Sequence, residues 1–189
     1  TLWQKKYWRG AYSCFFLRRS LLINPCSRRK GTDFHPPVPH VMLMKPKVLV
    51  AEDNVDHLEL LTDALSEENE VVGTDSKEGC MEQLQKDTFD LVVLDYNLKK
   101  DFSGFDILRE ITLKYPYMPV IMVTAYGNEE LAVKVMKIGA KDYIRKTLDN
   151  NYIDRIVSNV RILVNKREKE DYRKIKEDSI AFLHQHKER

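Results

Sequence analysis

The sequence is poor in several features, and each shortage argues against a class of protein. Its 189 residues include three cysteines without C-x-x-C spacing. So small and odd a number is typical of a reducing compartment, which predicts a cytoplasmic protein. The seven glycines form neither G-x-G-x-x-G nor G-x-x-x-x-G-K-S/T, which argues against a nucleotide- or flavin-binding module. No apolar run approaches the roughly 20 residues of a membrane-spanning helix, so we predict no membrane partner.

An overall excess of charge is also missing, but the charges are unevenly distributed. The formal net charge is +2, yet residues 1–45 carry nine Lys and Arg residues and one acid, Asp33. The remaining residues therefore have a net charge of −6, from 22 basic and 28 acidic side chains. Because nucleic-acid-binding domains are usually basic, an acidic body argues against direct nucleic-acid binding.

Residues 1–45 also differ from the remainder in pattern. Aromatic residues alternate there with Arg and Lys, and three prolines between residues 36 and 39 break any regular structure. We interpret this segment as a basic, disordered extension, with Met42 or Met44 as an alternative start. We divide the chain into an extension (residues 1–45), a globular domain (46–166) and a charged helical tail or linker (167–189).

From residue 47 onwards, short apolar runs alternate with segments of helical periodicity. Strands are predicted at residues 47–51, from 71, at 91–95, 120–123 and 142–145, and helices at 54–68, 76–87, 105–115, 128–138 and from 149. Five such alternations predict an α/β fold in which a parallel sheet carries helices on both faces. The unbroken apolar runs are typical of strands that are buried on both faces.

Polar side chains follow four of the five predicted strands. Glu52 and Asp53 follow the first strand, Asp95 ends the third, Thr124 follows the fourth and Lys146 follows the fifth. Each residue alone has an ordinary explanation, such as a helix cap, a turn or a surface lysine. Because ligands bind at the carboxyl ends of the strands in such folds, we expect the five side chains to lie together.

The chemistry of this set follows from its charges. Carboxylates repel each other by about 4 kcal/mol per pair at 4 Å in an effective dielectric near 20, so three of them favour a bound cation. An all-oxygen, carboxylate-rich site suits Mg²⁺. Together Mg²⁺ and Lys146 balance the three negative charges, and Thr124 can donate a hydrogen bond to a phosphoryl oxygen. Such a set serves attack by a carboxylate on phosphorus, which gives an acyl phosphate.

Four separated segments resemble the receiver domain of bacterial and archaeal response regulators. They are Glu52-Asp53, Leu91-Val-Val-Leu-Asp95-Tyr-Asn-Leu98, Val120-Ile-Met-Val-Thr124-Ala125 and Gly139-Ala-Lys-Asp-Tyr143-Ile-Arg-Lys146. The resemblance covers about 120 of the 189 residues. It implies a doubly wound (βα)5 sheet of the flavodoxin-like type with a C-terminal helical extension. It also implies a signalling domain rather than an enzyme.

The resemblance further implies a mechanism and partners. A histidine kinase or histidine phosphotransfer protein would supply the phosphoryl group, and the fourth helix, fifth strand and fifth helix would then change, with a homodimer through that surface. The implied roles are Asp95 as phosphoryl acceptor; Glu52, Asp53, Asp95 and the backbone carbonyl of Asn97 as Mg²⁺ ligands; Lys146 and Thr124 as catalytic residues; Thr124 and Tyr143 as switch residues; and Asn97 and Tyr126 as residues that set the phosphate lifetime.

The sequence departs from the family pattern in two places. Residues 97–104 contain no proline and reach their glycine one residue later than usual. Thr147 follows Lys146 where the family has proline. A cis bond before a residue other than proline costs about 2.5–4 kcal/mol. We therefore expect either a trans bond with a rearranged loop or a strained cis bond.

Two other classes of protein fit less well. An aspartate-nucleophile phosphatase needs a second acid two residues after the nucleophile, where this chain has Asn97. A DNA-binding regulator needs a helix-turn-helix or winged helix, and the residues after 150 indicate neither.

The last predicted helix carries an apolar stripe with two interpretations. The stripe consists of Ile153, Val157, Val160 and Val164, and its 4-3-4 spacing suits a coiled-coil seam. The same spacing suits a helix that covers the domain's own sheet, and both interpretations remain open at this point.

Overall fold

A computed structural model describes residues 45–98, 102–125, 127–148 and 151–187. They belong to one compact unit, Lys45–Arg189. The predicted disordered extension lies outside the described residues. So does the middle of the loop that follows Asp95.

Five parallel strands form the main sheet, as predicted. They are β1 (Lys47–Ala51), β2 (Glu70–Thr74), β3 (Leu91–Asp95), β4 (Val120–Thr124) and β5 (Asp142–Arg145). Their order across the sheet is β2-β1-β3-β4-β5, with every neighbouring pair parallel. The chain thus winds outward in one direction from β1 and in the other from β3. This reversal creates a crevice at the carboxyl ends of the two strands.

Five helices connect and follow the strands, and their bounds agree with the predictions to within two residues. They are α1 (Val55–Ser66), α2 (Lys77–Lys86), α3 (Gly104–Lys114), α4 (Glu129–Ile138) and α5 (Asn151–Lys187). Side-chain caps fix three of the starts: Asn54, Ser76 and Asn128 each accept a hydrogen bond from a backbone N–H in the first turn. A short antiparallel ribbon, Asn97–Leu98 with Phe102–Ser103, lies between β3 and α3.

Both faces of the sheet are buried, because successive strand residues point to opposite sides. On one face Leu49, Val92 and Met122 pack with side chains of α2, α3 and α4. On the other face Val50 and Val93 pack with α1 and the first half of α5. The fold is therefore the doubly wound, flavodoxin-like α/β class that the sequence predicted.

The apolar stripe of α5 covers the domain's own sheet. Ile153, Val160 and Val164 are 8%, 1% and 3% exposed and join the same core cluster as Val50, while Val157 is partly buried against it. These four side chains are therefore engaged within the domain. The coiled-coil interpretation of residues 153–164 is wrong, because a seam needs side chains that are free to meet another helix.

The second half of α5 continues past the sheet as one helix. Its contacts with the domain include Arg167, whose guanidinium donates to the carbonyl of Asp90 at 2.9 Å, and Lys174, whose Nζ lies 5.6 Å from the ring centre of Tyr117. No helix within the described residues is both long and apolar enough to cross a membrane.

The bond between Lys146 and Thr147 is trans, since the described residues contain no cis peptide bond. Of the two geometries expected for this departure from the family pattern, the trans bond is the one observed.

Candidate functional site

The carboxyl edge of the sheet brings the predicted polar residues together. Hydrogen bonds continue the strand ladder beyond the strands themselves, because the N–H of Lys146 donates to the carbonyl of Thr124 at 2.8 Å. In the same way the N–H of Tyr96 donates to the carbonyl of Val123 at 2.8 Å. These backbone hydrogen bonds fix the positions of Asp95, Thr124 and Lys146 at the carboxyl edge of the sheet.

Glu52, Asp53 and Asp95 form an acidic cluster that is able to hold a metal ion. One carboxylate oxygen from each lies within 4.8 Å of the other two. Glu52 is 2% exposed and Asp95 is 5% exposed, which is rare for carboxylates. The sequence prediction that these three side chains meet is therefore confirmed by their positions.

Burial alters the acidity of both buried carboxyls. Loss of hydration raises the pKa of Glu52, and the nearby charge of Asp95 raises it further. Burial also raises the pKa of Asp95, although Lys146 and the backbone N–H groups of Tyr96 and Asn97 act in the opposite direction. The negative charge of this cluster is thus only partly compensated by protein groups. An oxygen-only donor set with excess negative charge fits Mg²⁺.

Lys146 bridges two of the acids. Its Nζ lies 2.7 Å from Glu52 Oε2 and 3.3 Å from Asp95 Oδ1, and its side chain is 9% exposed. Burial alone would lower the pKa of Lys146, but the hydrogen bond to Glu52 and the charge of Asp95 outweigh it and raise the pKa. The amine is therefore a charged ammonium group. Asp95 Oδ1 is therefore held by an ion pair with Lys146, and it has no hydrogen-bond donor by geometry among the described residues.

Sequence reasoning missed one neighbour of this lysine. His57, in the first turn of α1, places its Nδ1 3.3 Å from Lys146 Nζ. A signal was available, because His57 lies four residues after Asp53 and three after the N-cap Asn54, so the first turn of the helix carries it to the same edge.

The two predicted switch residues lie next to each other. Thr124 is fully buried at the end of β4. A Cβ on Gly127 would overlap the hydroxyl of Tyr143 and lie 3.1 Å from Thr124 Cγ2, so the Tyr143 side chain points inward over Gly127. The Tyr143 hydroxyl is buried and has no hydrogen-bond partner within the described part of the chain. Burial raises the pKa of this phenol.

The two residues predicted to set the phosphate lifetime are less well defined. Asn97 is exposed in the short ribbon, and its backbone N–H contributes to the environment of Asp95. Its carbonyl as a metal ligand stays a prediction. Tyr126 lies outside the described residues. Gly104 closes the ribbon, since its N–H donates to the Tyr96 carbonyl at 2.6 Å and a Cβ there would collide with the Asp95 carbonyl.

A five-stranded doubly wound sheet with clustered carboxylates and a buried lysine at its carboxyl edge defines a class of signal-receiving α/β domains. Residues 48–158 match the response regulator receiver domain, and the chain belongs to this family. The family assignment predicted from the four sequence segments is thereby confirmed.

Relatives with assigned roles are two-component response regulators. The chain is 37% identical over 107 residues to the response regulator protein FleR of Pseudomonas aeruginosa, covering 56% of this chain and 22% of FleR. It is 35% identical over 103 residues to the transcriptional regulatory protein ZraR of Escherichia coli, covering 54% and 23%. The chain thus spans about a quarter of the length of these relatives.

Solved structures share the fold over nearly their whole length. The receiver domain of a putative LuxO repressor protein from Vibrio parahaemolyticus has a TM-score of 0.62 at 25% identity, covering 68% of this chain and 97% of that one. A CheY-like receiver domain protein from Methanospirillum hungatei has a TM-score of 0.61 at 26% identity, covering 67% and 99%.

Proposed function

We propose that this receiver domain accepts a phosphoryl group on Asp95 from a histidine kinase or a histidine phosphotransfer protein. One observation carries the proposal, namely that Glu52, Asp53 and Asp95 cluster at the sheet edge with the Lys146 ammonium bridging two of them. The family of residues 48–158 supports the same role. Asp95 is the nucleophile in this proposal because it ends the central strand β3 and lies beside the lysine.

The reaction needs little more than positioning and charge balance. A carboxylate oxygen of Asp95 forms a bond to phosphorus while the bond from phosphorus to the imidazole nitrogen of the donor breaks, and the imidazole keeps that electron pair. Lys146, 3.3 Å from Asp95 Oδ1, offsets the negative charge of the incoming group. The hydroxyl of Thr124, which ends the neighbouring strand, would donate a hydrogen bond to a phosphoryl oxygen.

Mg²⁺ fits the same site. The carboxylates of Glu52, Asp53 and Asp95 and the backbone carbonyl of Asn97 would hold it, directly or through water. When bound, it supplies positive charge to the phosphoryl oxygens. The raised pKa values of Glu52 and Asp95 support this assignment, because they indicate carboxylates whose charge the protein alone leaves poorly compensated.

The proposed output is a change of the surface formed by α4, β5 and α5. Tyr143 lies on β5 and covers Gly127, which precedes α4, so it links the site to that surface. In the cytoplasm, the altered surface would form a homodimer or bind a further domain or protein. Sedimentation of the chain before and after phosphorylation tests the dimer, which is wrong if both states stay monomeric at high concentration.

Intact mass spectrometry tests the central proposal. Incubation with acetyl phosphate and MgCl2 should add one phosphoryl group to the wild-type chain. EDTA and the Asp95→Asn substitution should each abolish the gain. Asp63→Asn, at an exposed position on α1, makes the same chemical change away from the site and should leave labelling intact. Labelling that persists in Asp95→Asn would assign the acceptor to another residue.

A further inference from the structure

The contact between His57 and Lys146 has a chemical direction. An ammonium group has three N–H donors and no acceptor, so the Nδ1 of His57 must accept the hydrogen bond from Lys146. With Nδ1 as the acceptor, the ring N–H of this hydrogen-bonded form is at Nε2. A charged ring would repel the ammonium 3.3 Å away, and the 3.8 Å separation of Nδ1 from Glu52 Oε1 is too long for a hydrogen bond.

The placement of His57 is fixed by the start of α1. Its backbone N–H donates to the side chain of the N-cap Asn54 at 3.0 Å, which anchors the first turn next to the acidic cluster. The imidazole is 40% exposed, whereas Lys146 is 9% exposed. The ring therefore lies on the solvent side of the ammonium, with Glu52 Oε2 as the other hydrogen-bond acceptor.

We propose that His57 is a positioning residue that holds the Lys146 ammonium beside Asp95 for phosphoryl transfer. Glu52 and His57 each accept one N–H of Lys146, which leaves a third for the side of Asp95, where Oδ1 is 3.3 Å away. The four-carbon stem of lysine is flexible, so the ammonium group would otherwise sample several positions. The two hydrogen-bond acceptors, Glu52 and His57, restrict it to one. The effect on phosphoryl transfer rests on the proposed function of Asp95.

Three substitutions of His57 separate hydrogen bonding from packing. The side-chain oxygen of Asn lies close to where Nδ1 lies in histidine, whereas the amide of Gln reaches the position of Nε2. Leu has a similar volume without a polar atom. His57→Asn should therefore retain the wild-type rate with acetyl phosphate. His57→Gln and His57→Leu should lower the maximal rate by roughly 3- to 10-fold, the effect of losing a half-exposed hydrogen bond to a charged group.

The kinetic pattern distinguishes positioning from general damage. The acetyl phosphate and Mg²⁺ concentrations for half-maximal rate should stay within about twofold of wild type, because the carboxylates that bind the metal are unchanged. Glu59→Gln, an exposed change one half-turn further along α1, should leave all values unchanged. Equal rates in the wild type and in the Asn, Gln and Leu variants would overturn the proposal.

A spectroscopic measurement tests the geometry without any phosphodonor. Long-range ¹H–¹⁵N correlation spectra should show His57 with its proton on Nε2, and His57→Asn identifies its signals among the five histidines. Lys146→Met should change the ¹⁵N chemical shift of Nδ1, because the N–H that this nitrogen accepts is then lost. A proton on Nδ1 in the wild type would overturn the proposal.

If the wild-type chain accepts no phosphoryl group, both the proposed function of Asp95 and the proposed role of His57 are wrong. If the wild-type chain is labelled and the His57 variants are labelled at the same rate, only the positioning role of His57 is wrong.

Discussion

At the scale of single residues, the buried carboxyls of Glu52 and Asp95 link stability to pH. Both have raised pKa values in the folded chain, chiefly through burial, so the folded state holds their protons at a pH where the unfolded state has released them. Their contribution to the free energy of unfolding therefore falls as the pH rises from about 4 through the raised pKa values, and is constant above them.

We predict that Asp95→Asn raises the melting temperature at neutral pH in EDTA and flattens this pH dependence. The substitution keeps the shape of the side chain and removes its buried charge. Mg²⁺ should raise the melting temperature of the wild type more than that of the variant. Thermal unfolding across a pH series provides the measurement. If the melting temperatures of the wild type and the variant change with pH in the same way, ionisation of Asp95 does not destabilise the folded state.

A second residue-scale prediction concerns Gly127. Its Cβ position is occupied by the Tyr143 hydroxyl, the far end of a flexible side chain, so Gly127→Ala should turn Tyr143 outward rather than move the backbone. Nitration of Tyr143 should become faster and the pKa of its phenol should fall towards the ordinary value. In the Tyr143→Phe background, Gly127→Ala should destabilise less, because the closest atom is then gone. Unchanged nitration would mean that the ring stays in place.

The acidic cluster and its lysine could be predicted at residue level, whereas for His57 the spacing after Asp53 indicates the same edge of the sheet but not the contact with Lys146. Glu52, Asp95 and Lys146 each follow an apolar strand, and parallel strands bring their carboxyl ends together whatever the loops do. The contact between His57 and Lys146 joins residues 89 positions apart and depends on one side-chain direction in a helix. Pattern alone does not supply that direction.

At the scale of elements, the first half of α5 has two faces with different energetics. Ile156 is fully buried against the sheet, whereas Ile162, on the same helix, is 61% exposed. We predict that Ile156→Ala lowers the free energy of unfolding by about 2–5 kcal/mol, and that Ile162→Ala changes it by less than about 0.5 kcal/mol. Urea denaturation measures both. Equal changes in the free energy of unfolding for the two variants would mean that Ile156 does not contribute to packing against the sheet.

The elements were predictable where their signal is local. Apolar runs and helical periodicity located the five strands of the main sheet and the five helices of the described residues, because each pattern spans enough residues to be distinct. The ribbon of Asn97–Leu98 and Phe102–Ser103 is too short to carry a period. The stripe of α5 was ambiguous for another reason, since one spacing serves both a coiled-coil seam and a sheet-facing helix.

At the scale of the whole molecule, the two core clusters formed by the described residues lie between residues 48 and 164. We predict that a chain beginning at Met42 accepts the phosphoryl group at the wild-type rate and melts within about 2 °C of the full chain, a shift of a few tenths of a kcal/mol. Intact mass and thermal unfolding test this. A large loss of either would show that the extension belongs to the domain, and the boundaries at 46 and 166 would need revision.

The length of α5 has a mechanical consequence. At about 1.5 Å per residue its 37 residues extend roughly 55 Å. The helix contains neither glycine nor proline, the residues at which helices most often bend. It therefore behaves as a stiff lever whose base lies soon after β5. A tilt of about 5° where the helix leaves the sheet, near Val164, would move the far end, 23 residues further on, by about 3 Å, so a displacement too small to disturb the core becomes larger where α5 ends.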